Sequence, residues 1–94
     1  MIDKLNKFVD ENNLEFTVGR RNSDLTVLCG YALYLESEGK YKEDTKFYLI
    51  KFLHSLPHSD SELMEELDKV YKYANEHHYE TWWKDVANRE QYVV

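Results

Sequence analysis

The chain carries one cysteine, one proline and three glycines in 94 residues. A lone cysteine excludes an internal disulfide and a thiolate metal cluster, and it fits a reducing compartment. No apolar run approaches the roughly 18 to 20 residues that a bilayer-spanning helix needs. Met1-Ile2-Asp3-Lys4 also lacks the basic start and apolar stretch of a signal peptide, so the expected location is the cytoplasm, with no membrane partner. Gly19, Gly30 and Gly39 are scattered, and none leads a strand into a helix with the spacing of a phosphate-cradling loop. Basic charge is scarce as well. Twelve Lys and Arg stand against eighteen Asp and Glu, a net charge of -6, which disfavours direct binding to a nucleic-acid backbone.

What is present is a core. Hydrophobic residues make up 43% of the chain and aromatics 15%, enough to offset the ordering entropy of one domain spanning residues 1–94. The uncharged run Leu25 to Leu35, in a chain that is 32% charged, marks the element the others must cover. Asn22, Ser23 and Asp24 ahead of it are types that cap a helix start, and Gly39 permits a stop after it. Ile2, Leu5, Phe8 and Val9 share one helical face ahead of Asn12-Asn13. Leu14 to Val18 alternates apolar with polar, as a short strand or an extended linker laid on the core does.

Beyond a charged loop over 37–44, Asp44-Thr45 opens a segment with Phe47, Tyr48, Leu49, Ile50, Phe52, Leu53 and Leu56, expected to be largely buried and stopped by Pro57. Ser59-Asp60-Ser61-Glu62 reads as a capping box, with Ser59 as the cap and Glu62 reaching back. Leu63, Leu67, Val70, Tyr71 and Ala74 then form one face of the next helix, and Tyr79, Trp83, Val86 and Ala87 one face of a last helix. The expected fold is all-α, an irregular bundle of about five short helices. The alternative is an α+β domain in which 26–35 and 40–49 form a small hairpin around Glu38-Gly39.

Constellations that would carry chemistry are weak. His54 and His58 have the i, i+4 spacing of a zinc pair, but Pro57 interrupts the helix between them; His77-His78 point about 100° apart. No nucleophile stands beside a base in any recognisable pattern, so neither catalysis nor a cofactor is expected. The densest acids are Asp60, Glu62, Glu65, Glu66 and Asp68; they could imitate a nucleic-acid backbone, or be a solvated face neutralised by the i, i+4 pairs Glu65–Lys69 and Asp68–Lys72. Arg20-Arg21, beside a helix start, suit an anion or a carboxylate, on a partner or on the chain itself.

The sharper signal is apolar residues on polar faces. With Trp83 inward, Trp82 turns outward, and Tyr73 falls beside Lys69 and Glu76, off the buried stripe. Large aromatics left exposed are what protein interfaces use as anchors; the alternative cover for Trp82 is Arg89 or the tail Gln91-Tyr92-Val93-Val94. The expectation is a small acidic protein-binding module. Its contact residues are Trp82 and Tyr73, with Glu62 and Glu66, and with Arg20 and Arg21 as secondary polar contacts. Its size, acidity and A+T-rich residue usage are shared by many small phage and mobile-element proteins that inhibit a host nucleic-acid enzyme, such as a CRISPR effector, nuclease or polymerase. Two rivals stand beside it. One is a homodimer or assembly subunit. The other is a nucleic-acid accessory factor using Arg20, Arg21, Lys40, Lys42 and Lys46.

Overall fold

The computed structural model describes residues 2–39, 45–57 and 59–85. It is all-α, with α1 Ile2–Glu11, α2 Arg21–Ser37, α3 Thr45–His54, α4 Ser61–Glu76 and a final helical segment, α5, over 80–85. No strand occurs among the described residues, and the two segments of the alternative hairpin lie largely in α2 and α3. Asp44 and the other residues of 40–44, His58, and 86–94 with Val86, Ala87, Arg89 and the tail lie outside the described residues.

The uncharged run does form the central helix. Leu25, Leu28, Cys29, Gly30, Ala32, Leu33 and Leu35 of α2 are all buried, a set too broad for one stripe, because neighbours cover α2 on most sides. The largest interface is with α4, which contributes the narrow stripe Leu63, Leu67, Val70 and Ala74 at i, i+4, i+7 and i+11. α2 and α4 run parallel: Arg21 meets Glu62, Asn22 meets Glu66, and Thr26 lies with Val70 and Tyr73. α3 makes this possible by crossing back between them, burying Leu49, Phe52 and Leu53 against α1, α2 and α4.

Five local expectations need correction. The start of α2 is not capped by its own side chains: Arg20 is the N-cap residue and makes no side-chain cap bond. Asp24 instead reaches back, and its buried Oδ2 accepts the backbone N–H groups of Glu15 (2.9 Å) and Phe16 (3.0 Å). That clamp holds Phe16 at φ +58°, a left-handed conformation costly for a bulky residue, with its ring sunk edge-on toward Phe52. Leu14–Val18 is therefore a linker laid on the core and clamped at Phe16, with no strand character.

The cap of α4 is Asp60, one residue later than the capping box implied; its Oδ1 accepts from Leu63 N–H at 2.8 Å, and Glu62 turns to Arg21. Phe47, counted with the core, is 51% exposed, with Lys51 over its ring at 5.1 Å and Tyr48 edge-on. The α3 segment is too short to bury all its apolar positions once α1, α2 and α4 occupy one side. Asp68 pairs with Lys46 of α3 at 2.8 Å, not with Lys72 one turn on, because the packing of α3 against α4 brings a cation from another helix closer.

Candidate interaction groove

A groove runs along the seam of α2 and α4 from their N-terminal ends to α5. Its polar end is built on Arg21, whose Nη2 donates to Asp60 Oδ2 (2.8 Å) and Nη1 to Glu62 Oε2 (3.1 Å). One fork thus holds two carboxylates on a helix some forty positions away. The Asp60 carboxyl is held below its ordinary value first by the Leu63 N–H it caps, then by the Arg21 charge. Next along the seam, Asn22 Nδ2 donates to Glu66 Oε1 at 2.8 Å. Lys69 and the exposed Glu65 complete this end.

Midway the walls are Thr26, Val70, Tyr73 and Tyr79. The Thr26 hydroxyl is spent on Asn22 O (2.7 Å), so the residue offers its methyl group. Tyr73, 52% exposed, stacks on His77 (3.9 Å, 20°) and takes the edge of Tyr79 at 5.7 Å. Desolvation, then the bond to Tyr73, raises the Tyr79 hydroxyl above its ordinary range.

The far end is a mainly apolar cavity of about 390 Å³. Its floor is Gly30 with Val27, and its far wall is the pair Trp82 and Trp83, whose rings meet edge-to-face at 4.5 Å. Trp83 is the inward member. It packs edge-on against Phe8 and Tyr31, which themselves stack at 3.9 Å and 1°. Trp82 remains 58% exposed. Gly30 is what admits α5: a Cβ there would stand 3.2 Å from Trp83 Nε1 and 3.6 Å from Tyr79 Cβ. The chain reaches this position through the turn 77–79, where His78 takes φ +54° and His78 Nδ1 lies 3.3 Å from Glu80 Oε1.

Five of the six sequence-nominated contact residues therefore lie along one groove: Arg21, Glu62, Glu66, Tyr73 and Trp82. Arg20 does not. It faces the clamped linker, with Nη2 3.4 Å from Asp24 Oδ1 and 3.1 Å from Asn13 O, and Nη1 3.5 Å from Glu15 Oε2. Arginines 20 and 21 both serve carboxylates of the chain itself, the option the sequence left open beside an external anion. Of the basic positions named for an accessory factor, Lys46 is paired with Asp68, and Lys40 and Lys42 lie outside the described residues.

Sequence reasoning missed Gly30, Val27 and Thr26. The signal available was a glycine within an otherwise bulky apolar helix, which marks a close approach of another segment. For chemistry, Cys29 is sealed in the core, and burial pushes its thiol up to about 12, far from a nucleophilic thiolate at neutral pH. Among the described residues no group of three His, Cys, Asp or Glu side chains is placed to hold a metal ion. No described helix is long and apolar enough to cross a membrane. No known family model, curated protein or solved structure matches this chain.

Proposed function

We propose that the chain is a protein-binding module whose partner anchors in the groove between α2, α4 and α5. The observation that carries this reading is Trp82, 58% exposed at the rim of a mainly apolar cavity floored by Gly30, with Tyr73, 52% exposed, at the neighbouring Thr26 waist. Left in water, such aromatics forgo much of the 150–250 Å² of burial each can contribute, and a partner that covers them recovers it at little rotamer cost. The acids at the other end support a subordinate role for charge, because Asp60 and Glu62 are already paired with Arg21.

Within this class, stoichiometric inhibition of a nucleic-acid-processing enzyme is the use that the net charge of -6 supports, since such enzymes present basic surfaces. The test is affinity capture with the tagged chain and its Trp82→Ala and Tyr73→Ala variants, each checked for helicity by circular dichroism. The expected result is a partner that survives nuclease treatment and is reduced about thirtyfold or more by Trp82→Ala, the size of a hot-spot loss of about 2 kcal/mol. A partner retained equally by all three proteins overturns the assignment of the groove.

A further inference from the structure

We propose that the occupant of the groove is an amphipathic helix of the partner protein, which seats one bulky apolar side chain between Trp82 and Gly30 and sets a lysine or arginine two turns away against Glu66. The proposal rests on the protein-binding reading and adds the secondary structure, spacing and charge of what binds.

The helical form follows from what the groove offers. Its walls are side chains of α2, α4 and α5, and no strand edge with unpaired N–H and C=O groups exists among the described residues. An extended peptide adds itself to a sheet through its main chain and would find no such partners here. A helix brings its backbone bonds already satisfied and needs only side-chain contacts.

The spacing follows from α2. Asn22, which holds Glu66, and Gly30, the floor of the aromatic end, are eight positions apart on one helix, about 12 Å at the α-helical rise of about 1.5 Å per residue. Thr26 lies halfway, with Tyr73 across from it. A helix lying along the seam therefore meets the aromatic cavity, the Thr26–Tyr73 waist and Glu66 with residues at i, i+4 and i+7 or i+8.

The charge follows from the polar end. Asp60, Glu62, Glu65 and Glu66 face two cations there, Arg21 and Lys69. Arg21 is committed to Asp60 and Glu62, whereas Glu66 is bonded to a neutral amide and keeps its charge for an incoming cation. At the other end the lining of rings and methyl groups favours an apolar side chain.

The experiment is selection from a displayed library of 18-residue amphipathic helices, randomised along one face, on the full chain and on Trp82→Ala. Enriched peptides are then synthesised and titrated calorimetrically against wild type, Trp82→Ala and Glu66→Gln in 50 mM and 300 mM NaCl. The expected consensus pairs a Leu, Ile, Met, Phe or Trp with a Lys or Arg seven or eight positions away. Binding should weaken tenfold or more in Trp82→Ala and severalfold in Glu66→Gln, and the higher salt should weaken it severalfold in wild type and Trp82→Ala but far less in Glu66→Gln. Peptides that depend on Trp82 but carry no spaced cation, or ignore Glu66→Gln, overturn the proposal and leave the protein-binding reading standing. Failure to enrich any Trp82-dependent peptide overturns the proposal and leaves the protein-binding reading to the affinity capture, whereas retention of a duplex DNA probe by the groove overturns both. Should Trp82→Ala lose its helical signal, Thr26→Arg, which obstructs the waist from the surface of α2, replaces it in every arm.

Discussion

Replacing Asp24 with alanine should be the most damaging polar substitution in this chain. Its Oδ2 accepts two backbone N–H groups, those of Glu15 and Phe16. The Phe16 N–H is buried, so losing its acceptor costs about 1–3 kcal/mol; the partly buried Glu15 N–H recovers some water, and its loss is nearer 1 kcal/mol. Without the clamp, the φ +58° backbone of Phe16 also loses what holds it, and the ring, 1% exposed, loosens from Phe52. The sum is about 3 kcal/mol, out of the roughly 5–15 kcal/mol that holds a domain together.

Asp24→Asn keeps a neutral acceptor and should lose about 1 kcal/mol, so the two variants bracket the acceptor contribution. The assay is urea denaturation followed by far-ultraviolet circular dichroism. With a slope of about 1.5 kcal/mol/M, the Asp24→Ala midpoint should fall by about 2 M. Asp24 also sits in the first turn of α2, where a carboxylate is worth only about 0.3–1 kcal/mol through the helix dipole. A loss no larger than that in Asp24→Ala, equal to the loss in Asp24→Asn, refutes the clamp.

Gly30→Leu should expel Trp83 from its seat, shifting tryptophan emission to the red and abolishing partner capture; unchanged emission would mean that α5 does not depend on this close approach. Cys29 should resist a thiol reagent at pH 8 in the native protein and react only at the rate of unfolding, because its buried thiol is pushed up to about 12. The same raised value means that the stability owed to the neutral Cys29 thiol is complete below its ordinary 9.0 and declines as pH rises from there toward about 12; the alkaline arm should be shallower in Cys29→Ala. Asp60 works in the opposite sense. Its lowered carboxyl stabilises α4 fully above the ordinary 3.8 and loses that contribution as pH falls through the folded-state value, so Asp60→Asn should flatten the acid arm of the stability profile. Sedimentation equilibrium across a hundredfold concentration range separates the binding module from the rival homodimer, with a constant monomer mass expected.

The helices were legible where a single physical demand dominated. The uncharged run from Leu25 to Leu35 had to be covered, and the stripe of Leu63, Leu67, Val70 and Ala74 admitted one period only. Trp83 inward and Trp82 outward followed from geometry, since neighbours on a helix cannot share a face. What sequence could not give was the outcome of competition between local and distant partners. The sequence places Glu62 where it can reach back to its own helix start, but parallel packing of α2 on α4 puts the Arg21 fork nearer. Asp24 has the form of a local cap, and the fold instead uses it to hold backbone eight and nine positions upstream. Gly30 carried no chemistry of its own; its role exists only once α5 folds back on α2.

The measurement that bears most directly on the groove is site-specific photocrosslinking in cells, with a benzophenone amino acid at position 82 and, in parallel, at the exposed Phe47 on another face. A partner anchored in the groove should give one discrete protein adduct from position 82, resistant to nuclease, lost when Tyr73→Ala is combined with it and absent from position 47. Equal adducts from both positions, or none from 82 alongside one from 47, would contradict it.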